Sequence, residues 1–199
     1  MFDLLIGTSN PGKLREYGEM LAALPLRLIS LREVGLASFD LEEPYETFAE
    51  NAIHKAQTFA RLSGLPALAD DSGLAVDALG GRPGVYSARY APGSDADRYT
   101  KLLGELEGVP EAARTARFVC VIAAVKPDGA VISAEGTVEG RIAFAPGEVI
   151  NGFGYDAVFI PQGFEIVFSA LPPAEKNRLS HRGIALQRLM PALDRWVNS

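Results

Sequence analysis

Apolar and polar positions divide the chain into short alternating segments. Residues 3–7 form an apolar run that predicts a first strand, followed by a polar loop, Thr8-Ser9-Asn10-Pro11-Gly12. From Lys13 to Leu24, apolar residues recur at helical spacing (Leu14, Tyr17, Leu21, Leu24) and predict a helix, and Leu26 to Ser30 reads as a second strand. Thr47-Phe48-Ala49-Glu50 has the spacing of a capping box and opens a helix reaching about Leu62, before Gly64 and Pro66. A short strand, Ala67-Leu68-Ala69, runs into Asp70-Asp71-Ser72-Gly73, a composition common in turns. Residues 82–93 are loop-like, and Ala96 to Glu107 predicts a helix. Two β-rich runs between Ala116 and Ile142 flank Asp128-Gly129, a hairpin signal. Gly152-Phe153-Gly154 leads into a strand over Tyr155 to Ile160. The last helix begins near Ser180 and carries Leu186, Leu189, Leu193 and Val197 on its apolar face, with Pro191 expected to kink or interrupt it. Strands mixed with helices, and one long hairpin, predict an α/β fold with a mixed sheet. No repeat or Pro/Gly/Ser-rich linker divides the 199 residues, so a single domain is expected.

Composition removes several function classes. A net charge of -6 argues against a general nucleic-acid binder, which needs a surplus of Lys and Arg facing phosphates. It leaves room for a small phosphorylated ligand held by a few focused cations and a metal ion. The N-terminus has no basic segment ahead of its apolar run, and no apolar run approaches the ~18 residues of a membrane span, so a cytoplasmic protein is expected. Cys120 cannot form an internal disulfide; its apolar setting, Phe118 to Val125, predicts a buried structural thiol.

Six segments carry candidate chemistry. Gly7 to Lys13 matches the first seven positions of a Walker A phosphate loop, but the eighth residue is Leu14, which has no hydroxyl for a magnesium ion. Pro11 also removes a backbone donor. The ordinary P-loop NTPase is therefore rejected, while a strand-to-helix turn that presents N–H groups to an anion remains. Lys13 at a helix start opposes the macrodipole, which an intervening anion would relieve. Asp70 and Asp71 should point to opposite sides of a strand, and parity alone does not say which faces a metal. Glu42 and Glu43 supply further hard oxygen donors of the kind Mg²⁺ prefers. Asn51 and Lys55 share a helix face, by default a polar surface. Ser180-His181-Arg182 opens a helix and holds a donor-rich pair, whereas His54 has no partner in sequence. Gly152-Phe153-Gly154-Tyr155-Asp156 places an aromatic ring on a flexible loop where a ligand could be approached closely.

These segments, in this order, resemble the inosine/xanthosine triphosphate pyrophosphatase family, also called Ham1-like. The resemblance rests on Thr8 to Lys13, Thr47 to Ala52 with Lys55-Ala56, and Ala69 to Leu74. It also rests on Gly84 to Tyr90, Gly152 to Asp156, and Glu175 to Asn177 with Ser180 to Gly183. It implies an elongated mixed-sheet fold of two lobes with a central cleft, a homodimer, and hydrolysis of ITP, dITP or XTP to monophosphate and pyrophosphate. It implies that Thr8, Ser9, Asn10, Pro11, Gly12, Lys13, Lys55 and Ser72 hold the phosphates. Asp71 would be the catalytic residue and a Mg²⁺ ligand, with Glu43 favoured over Glu42 as the second acidic ligand. Phe153, Gly154, Tyr155, Asp156, Lys176, His181 and Arg182 would bind the base. Ala157 replaces a proline common in the family, and Pro44-Tyr45-Glu46 departs from a glycine-containing segment. A Maf-like pyrophosphatase of modified pyrimidine nucleotides and a non-catalytic nucleotide-binding protein are the rival readings.

Overall fold

The computed structural model describes residues 1–197; the side chain of Val197, expected on an apolar helix face, lies outside the described residues. Strands β1 (Phe2–Ile6), β2 (Leu26–Ser30), β3 (Ala67–Val76), β4 (Thr115–Val125), β5 (Val131–Ile142) and β6 (Phe159–Pro161) form one sheet among these residues, in the order β2-β1-β3-β4-β5-β6. β1 runs parallel to β2, from Phe2 opposite Leu26 to Ile6 opposite Ser30, and parallel to β3, while β5 and β6 are antiparallel. The expected hairpin joins β4 to β5. Lys126 N–H donates to the Ala130 carbonyl at 2.9 Å, and Gly129 takes a φ of +93° that a side chain would disfavour. The sheet is mixed and the fold α/β, as the pattern predicts.

Two features of the sheet differ from expectation, and the strand read over Tyr155 to Ile160 is the first: residues 154–158 form a turn and β6 holds only Phe159–Pro161. Asp70 to Gly73 is no turn: β3 continues through it to Val76, past the Ala67 and Leu68 that pair with β1. Burial of Asp70, Asp71, Gly73 and Leu74 outweighs the local turn preference of these residues. Helix α5 (His181–Val197) continues through Pro191, so of the two outcomes expected there the interruption does not occur. Pro191 and Gln187 are both exposed, so water can satisfy the carbonyl that loses its helical partner. Leu186, Leu189 and Leu193 are buried as predicted.

Helix α1 (Pro11–Met20) stops before the predicted Leu24, whose helical conformation Pro25 disfavours. Tyr17 and Leu21 are buried, whereas Leu14 is 36% exposed. Helix α2 (Phe48–Ser63) opens as its sequence predicts, with the Thr47 hydroxyl accepting from Glu50 N–H, and closes on Gly64. Helix α3 (Asp95–Glu105) begins with a reciprocal box between Ser94 and Asp97. The seven-residue helix α4 (Pro173–Leu179), too short to show a period, was not expected.

The chain separates into two compact units. The first comprises Met1–Asp71, Cys120–Gly136 and the chain from Arg182 onward. Alternation along its strands divides its core in two. Leu4, Ile6, Leu68, Cys120 and Ile122 gather with Tyr17 and Leu189, while Leu5, Ala67, Ala69, Val121 and Ala123 gather with Ala52, Ala56 and Phe59. Cys120 is wholly buried, and burial pushes its thiol well above the ordinary value, consistent with a structural role.

The second unit, Ser72–Val119 with Thr137–His181, is built on Leu74, Val76, Leu102, Leu106, Phe118, Phe159 and Phe168. Its buried Arg114 closes the end of α3. The guanidinium donates to the carbonyls of Leu106 (2.8 Å), Val109 (3.0 Å) and Ala143 (3.0 Å). Arg114→Met should strand these acceptors and lower stability by about 3 kcal/mol in urea unfolding. A loss below about 1 kcal/mol would show that water replaces the guanidinium.

Candidate functional site

Continuation of β3 through Asp70 and Asp71 places their carboxylates on opposite faces of the strand. Asp70 lies on the side of Leu68 and Cys120. Its Oδ2 is 2.8 Å from Lys13 Nζ and 3.3 Å from Arg182 Nη2. Arg182 in turn pairs with the buried Glu16. Burial alone would raise the Asp70 carboxyl, but the charges of Lys13, Arg182 and Lys55 reverse this and hold it well below the usual carboxylate range. Lys13 thus answers the question its position raised: the anion beside it is Asp70.

Asp71 faces the side of Ala69 and α2. Its Oδ1 accepts from Lys55 Nζ at 3.0 Å, and the same ammonium reaches Glu43 Oε1 at 2.6 Å. Glu42 is exposed, so Glu43 is the acidic residue brought to Lys55. Burial pushes the Asp71 carboxyl above its ordinary value; Lys55 opposes that shift and Glu43 reinforces it. Burial would lower Lys55, but Asp71, Asp70 and Glu43 more than compensate and keep it protonated.

Asn51, read from sequence as surface, is fully buried beside them. Its Oδ1 accepts from Tyr45 N–H (3.1 Å), while its Nδ2 donates to the Tyr45 carbonyl (3.0 Å) and to Asp71 Oδ2 (3.2 Å). One amide therefore holds the backbone two residues after Glu43 and orients Asp71. The signal for it was the shared helix face of Asn51 and Lys55, whose direction sequence could not supply. His54, assigned no role, meets Tyr45 edge-on at 5.4 Å.

Among the described residues, no three His, Cys, Asp or Glu side chains converge as a ready-made metal cluster. Two carboxylates sharing one ammonium still leave one negative charge on hard oxygens. That donor set fits a divalent cation completing its shell with water and phosphate oxygens.

The loop before α1 spends much of its hydrogen bonding internally. Asn10 Oδ1 accepts from the N–H groups of Gly12 (2.8 Å) and Lys13 (3.1 Å), and Thr8 Oγ1 accepts from Asn10 N–H (3.1 Å). Pro11 has no donor. Groups expected to cradle an anion through the backbone are thus capped by the loop's own side chains. Ser9 is exposed, and Ser72 follows Asp71 on β3.

In the second unit, Asp156 Oδ2 accepts from Phe153 N–H and from Lys176 Nζ, both at 2.9 Å. A side chain at Gly152 would place its Cβ 2.6 Å from that same oxygen, so the loop requires glycine there. Lys176 Nζ also sits 5.3 Å from the centre of the Phe153 ring. Tyr155 is buried, and its hydroxyl donates to the Ser87 carbonyl at 2.9 Å. Gly154 N–H donates to Asp95 at 2.6 Å. His181 is buried and stacks on Phe118, with 4.7 Å between centroids and 10° between planes. Ala157 is buried, and its carbonyl accepts from Gly147 N–H. Phe153, Asp156 and Lys176 therefore meet as one group, while Arg182 belongs to the network of Asp70 and Glu16.

Fold and site together define a mixed-sheet α/β protein with a lysine-bridged carboxylate pair and a separate aromatic-lysine loop. Residues 4–192 match the Ham1 family, and the chain belongs to that family. It is 46% identical to the dITP/XTP pyrophosphatase of Lactiplantibacillus plantarum, covering 97% of this chain and 95% of that one. Identity to the dITP/XTP pyrophosphatase of Nitratidesulfovibrio vulgaris is 48%, over 94% and 93% of the two chains. A HAM1 protein from Coxiella burnetii has a similar structure, with a TM-score of 0.87, 42% identity, and 98% and 100% coverage.

Asn51→Asp keeps the shape but turns the Nδ2 donor into a second acceptor facing Tyr45 and Asp71. It should cost about 1–3 kcal/mol of stability and expose residues 40–46 to proteolysis. A variant as stable and as protease-resistant as the parent would remove Asn51 from this role.

Proposed function

We propose that the protein hydrolyses non-canonical purine nucleoside triphosphates (ITP, dITP, XTP) to nucleoside monophosphate and pyrophosphate. The whole chain acts as one functional domain. The observation that carries this reading is the Lys55 ammonium shared by Asp71 and Glu43, in a chain whose relatives are named dITP/XTP pyrophosphatases. Water attacks the α-phosphorus, the bond from that phosphorus to the bridging oxygen breaks, and pyrophosphate leaves.

Asp71 is assigned to orient the water and accept its proton, a task suited to a carboxyl that burial has made more basic. Lys13, Lys55, Ser72 and the loop from Thr8 to Gly12 are assigned to the phosphates. In that loop, side-chain groups and the α1 dipole do more than the capped backbone donors. A divalent cation, which we take to be Mg²⁺, would be held by Asp71 and Glu43 and would supply charge neutralisation and a more acidic water.

Phe153 is assigned to stack on the base, with Gly154, Tyr155 and Asp156 lining its site. The N–H groups of Phe153 and Gly154 already have carboxylate acceptors, so recognition of the 6-oxo group falls to Lys176, His181 and Arg182. Adenine presents an amino group there, and donor against donor leaves a polar group unpaired at about 1–3 kcal/mol.

The proposal includes a cytoplasmic homodimer, testable by sedimentation. No helix among the described residues is long and apolar enough to cross a membrane, and the net charge of -6 disfavours nucleic acid as a partner.

The test is pyrophosphate release from ITP, XTP, dITP and the ordinary triphosphates, with and without Mg²⁺. Asp71→Asn should lower turnover about a hundredfold or more with the fold intact. Equal turnover in that variant, or preference for pyrimidine substrates, would refute the reading. His181→Ala should lower kcat/KM for ITP and narrow the ITP-to-ATP ratio, whereas Phe153→Ala should weaken both nucleotides alike, because stacking tolerates either base. The opposite pattern would overturn this account of base selection.

A further inference from the structure

The loop over residues 152–156 carries two glycines with positive φ, Gly152 at +99° and Gly154 at +63°. Such a segment loses much conformational freedom when it is held in one shape. Within the loop Asp156 accepts from Phe153 N–H, and outside it the Tyr155 hydroxyl donates to the Ser87 carbonyl, Lys176 pairs with Asp156, and Ser169 N–H donates to the Asp156 carbonyl. A further anchor, on Gly154, comes from α3. Asp95, the first residue of that helix, divides its two oxygens: Oδ2 accepts from Gly154 N–H at 2.6 Å, and Oδ1 accepts from Arg98 Nη1 at 2.6 Å. Arg98 Nη2 in turn donates to the Gly93 carbonyl at 3.1 Å. The carboxylate is thereby aimed from both ends, and a charged acceptor makes the stronger kind of hydrogen bond.

We propose that Asp95, aimed by Arg98, is a positioning residue that holds Gly154 so that the adjacent Phe153 ring presents one fixed face to the purine. This rests on the reading of the loop as the base-binding segment. Asp95 touches no reacting atom in this scheme. Its loss should change how well the nucleotide is bound, and the chemistry at the phosphates should be spared. Asp95 is partly exposed and lies at the end of a helix capped independently by Ser94, so replacing it need not unfold the unit. No motif marks it, because it lies nearly sixty residues before the loop it holds.

The experiment compares the parent with Asp95→Ala, Asp95→Asn and Arg98→Met. Amide hydrogen exchange over 152–156 is followed in the nucleotide-free proteins, and KM and kcat are measured for ITP, XTP and ATP. In Asp95→Ala, exchange at Gly154 should accelerate about tenfold or more as the loop opens locally. KM for ITP should rise about fivefold, with kcat within about twofold of the parent. Asp95→Asn has one carbonyl oxygen where Asp95 uses two, so it should rescue only in part, and Arg98→Met should fall between parent and alanine variant. Unchanged exchange in Asp95→Ala overturns the anchor. Accelerated exchange with unchanged KM, or a loss confined to kcat, overturns its role in binding. A parent protein that turns over neither ITP nor XTP refutes the base-pocket reading, while the exchange measurement still decides whether Asp95 holds the loop.

Discussion

A β-strand cannot place two consecutive side chains on one face, and Asp70 and Asp71 are consecutive in β3. The charge arrangement of the first unit follows from that constraint. Asp70 enters a buried network of alternating sign with Lys13, Arg182 and Glu16, two carboxylates against two cations. Asp71 enters another, in which it and Glu43 share Lys55. Lys13 stands in α1 and Lys55 in α2, so adjacent residues of one strand each tie down a different helix. The first network is balanced and serves mainly to orient its members, since buried pairs gain little net stability but lose much when one partner is removed. The second is short of one positive charge, since two carboxylates share a single ammonium.

Local signals with local causes were legible in the sequence. Thr47 and Glu50 open α2 because a side-chain oxygen three residues from a free N–H will cap it wherever the helix lies. The hairpin at Asp128-Gly129 and the opposed directions of Asp70 and Asp71 were readable for the same reason. What was hidden depends on partners distant in sequence. Asp70 to Gly73 has turn composition, yet it is the continuation of a ten-residue strand, β3, whose length the local residues do not announce. Asn51 looks like a surface amide until Tyr45 and Asp71 close around it. The loop before α1 resembles an anion cradle, yet Asn10 caps the donors that the resemblance would assign to phosphate.

The two loops assigned to the nucleotide share one device. Each has backbone donors that could face a ligand, and each spends them on its own side chains or on a neighbouring carboxylate. Asn10 does this before α1, and Asp156 and Asp95 do it around Phe153. A loop satisfied in this way keeps its shape without ligand, so less ordering entropy is lost on binding. On the proposed reading, recognition would fall to side chains whose own positions are fixed: Lys176 by Asp156, Arg182 by Glu16 and Asp70, and His181 by the face of Phe118. Donors held rigidly discriminate better than mobile ones, because a mismatched base cannot be accommodated by rotating them away.

Charge balance adds a last consequence of the proposed function. The chain is acidic, and both lysines assigned to the phosphates already face carboxylates: Lys13 faces Asp70, and Lys55 faces Asp71 and Glu43. A polyphosphate arriving alone would meet cations largely neutralised and a carboxylate pair carrying one uncompensated negative charge. At 4 Å and an effective dielectric constant near 20, each like-charge contact would cost about 4 kcal/mol before screening. Binding of the anion is therefore linked to neutralisation of Asp71 and Glu43, and the linkage is reciprocal: whatever neutralises that pair must bind more tightly when the polyphosphate is present. On the proposed function, an acidic protein would in this way select a highly charged nucleotide without a basic surface, because the neutralising charge would be bound where Asp71, Glu43 and Lys55 already meet.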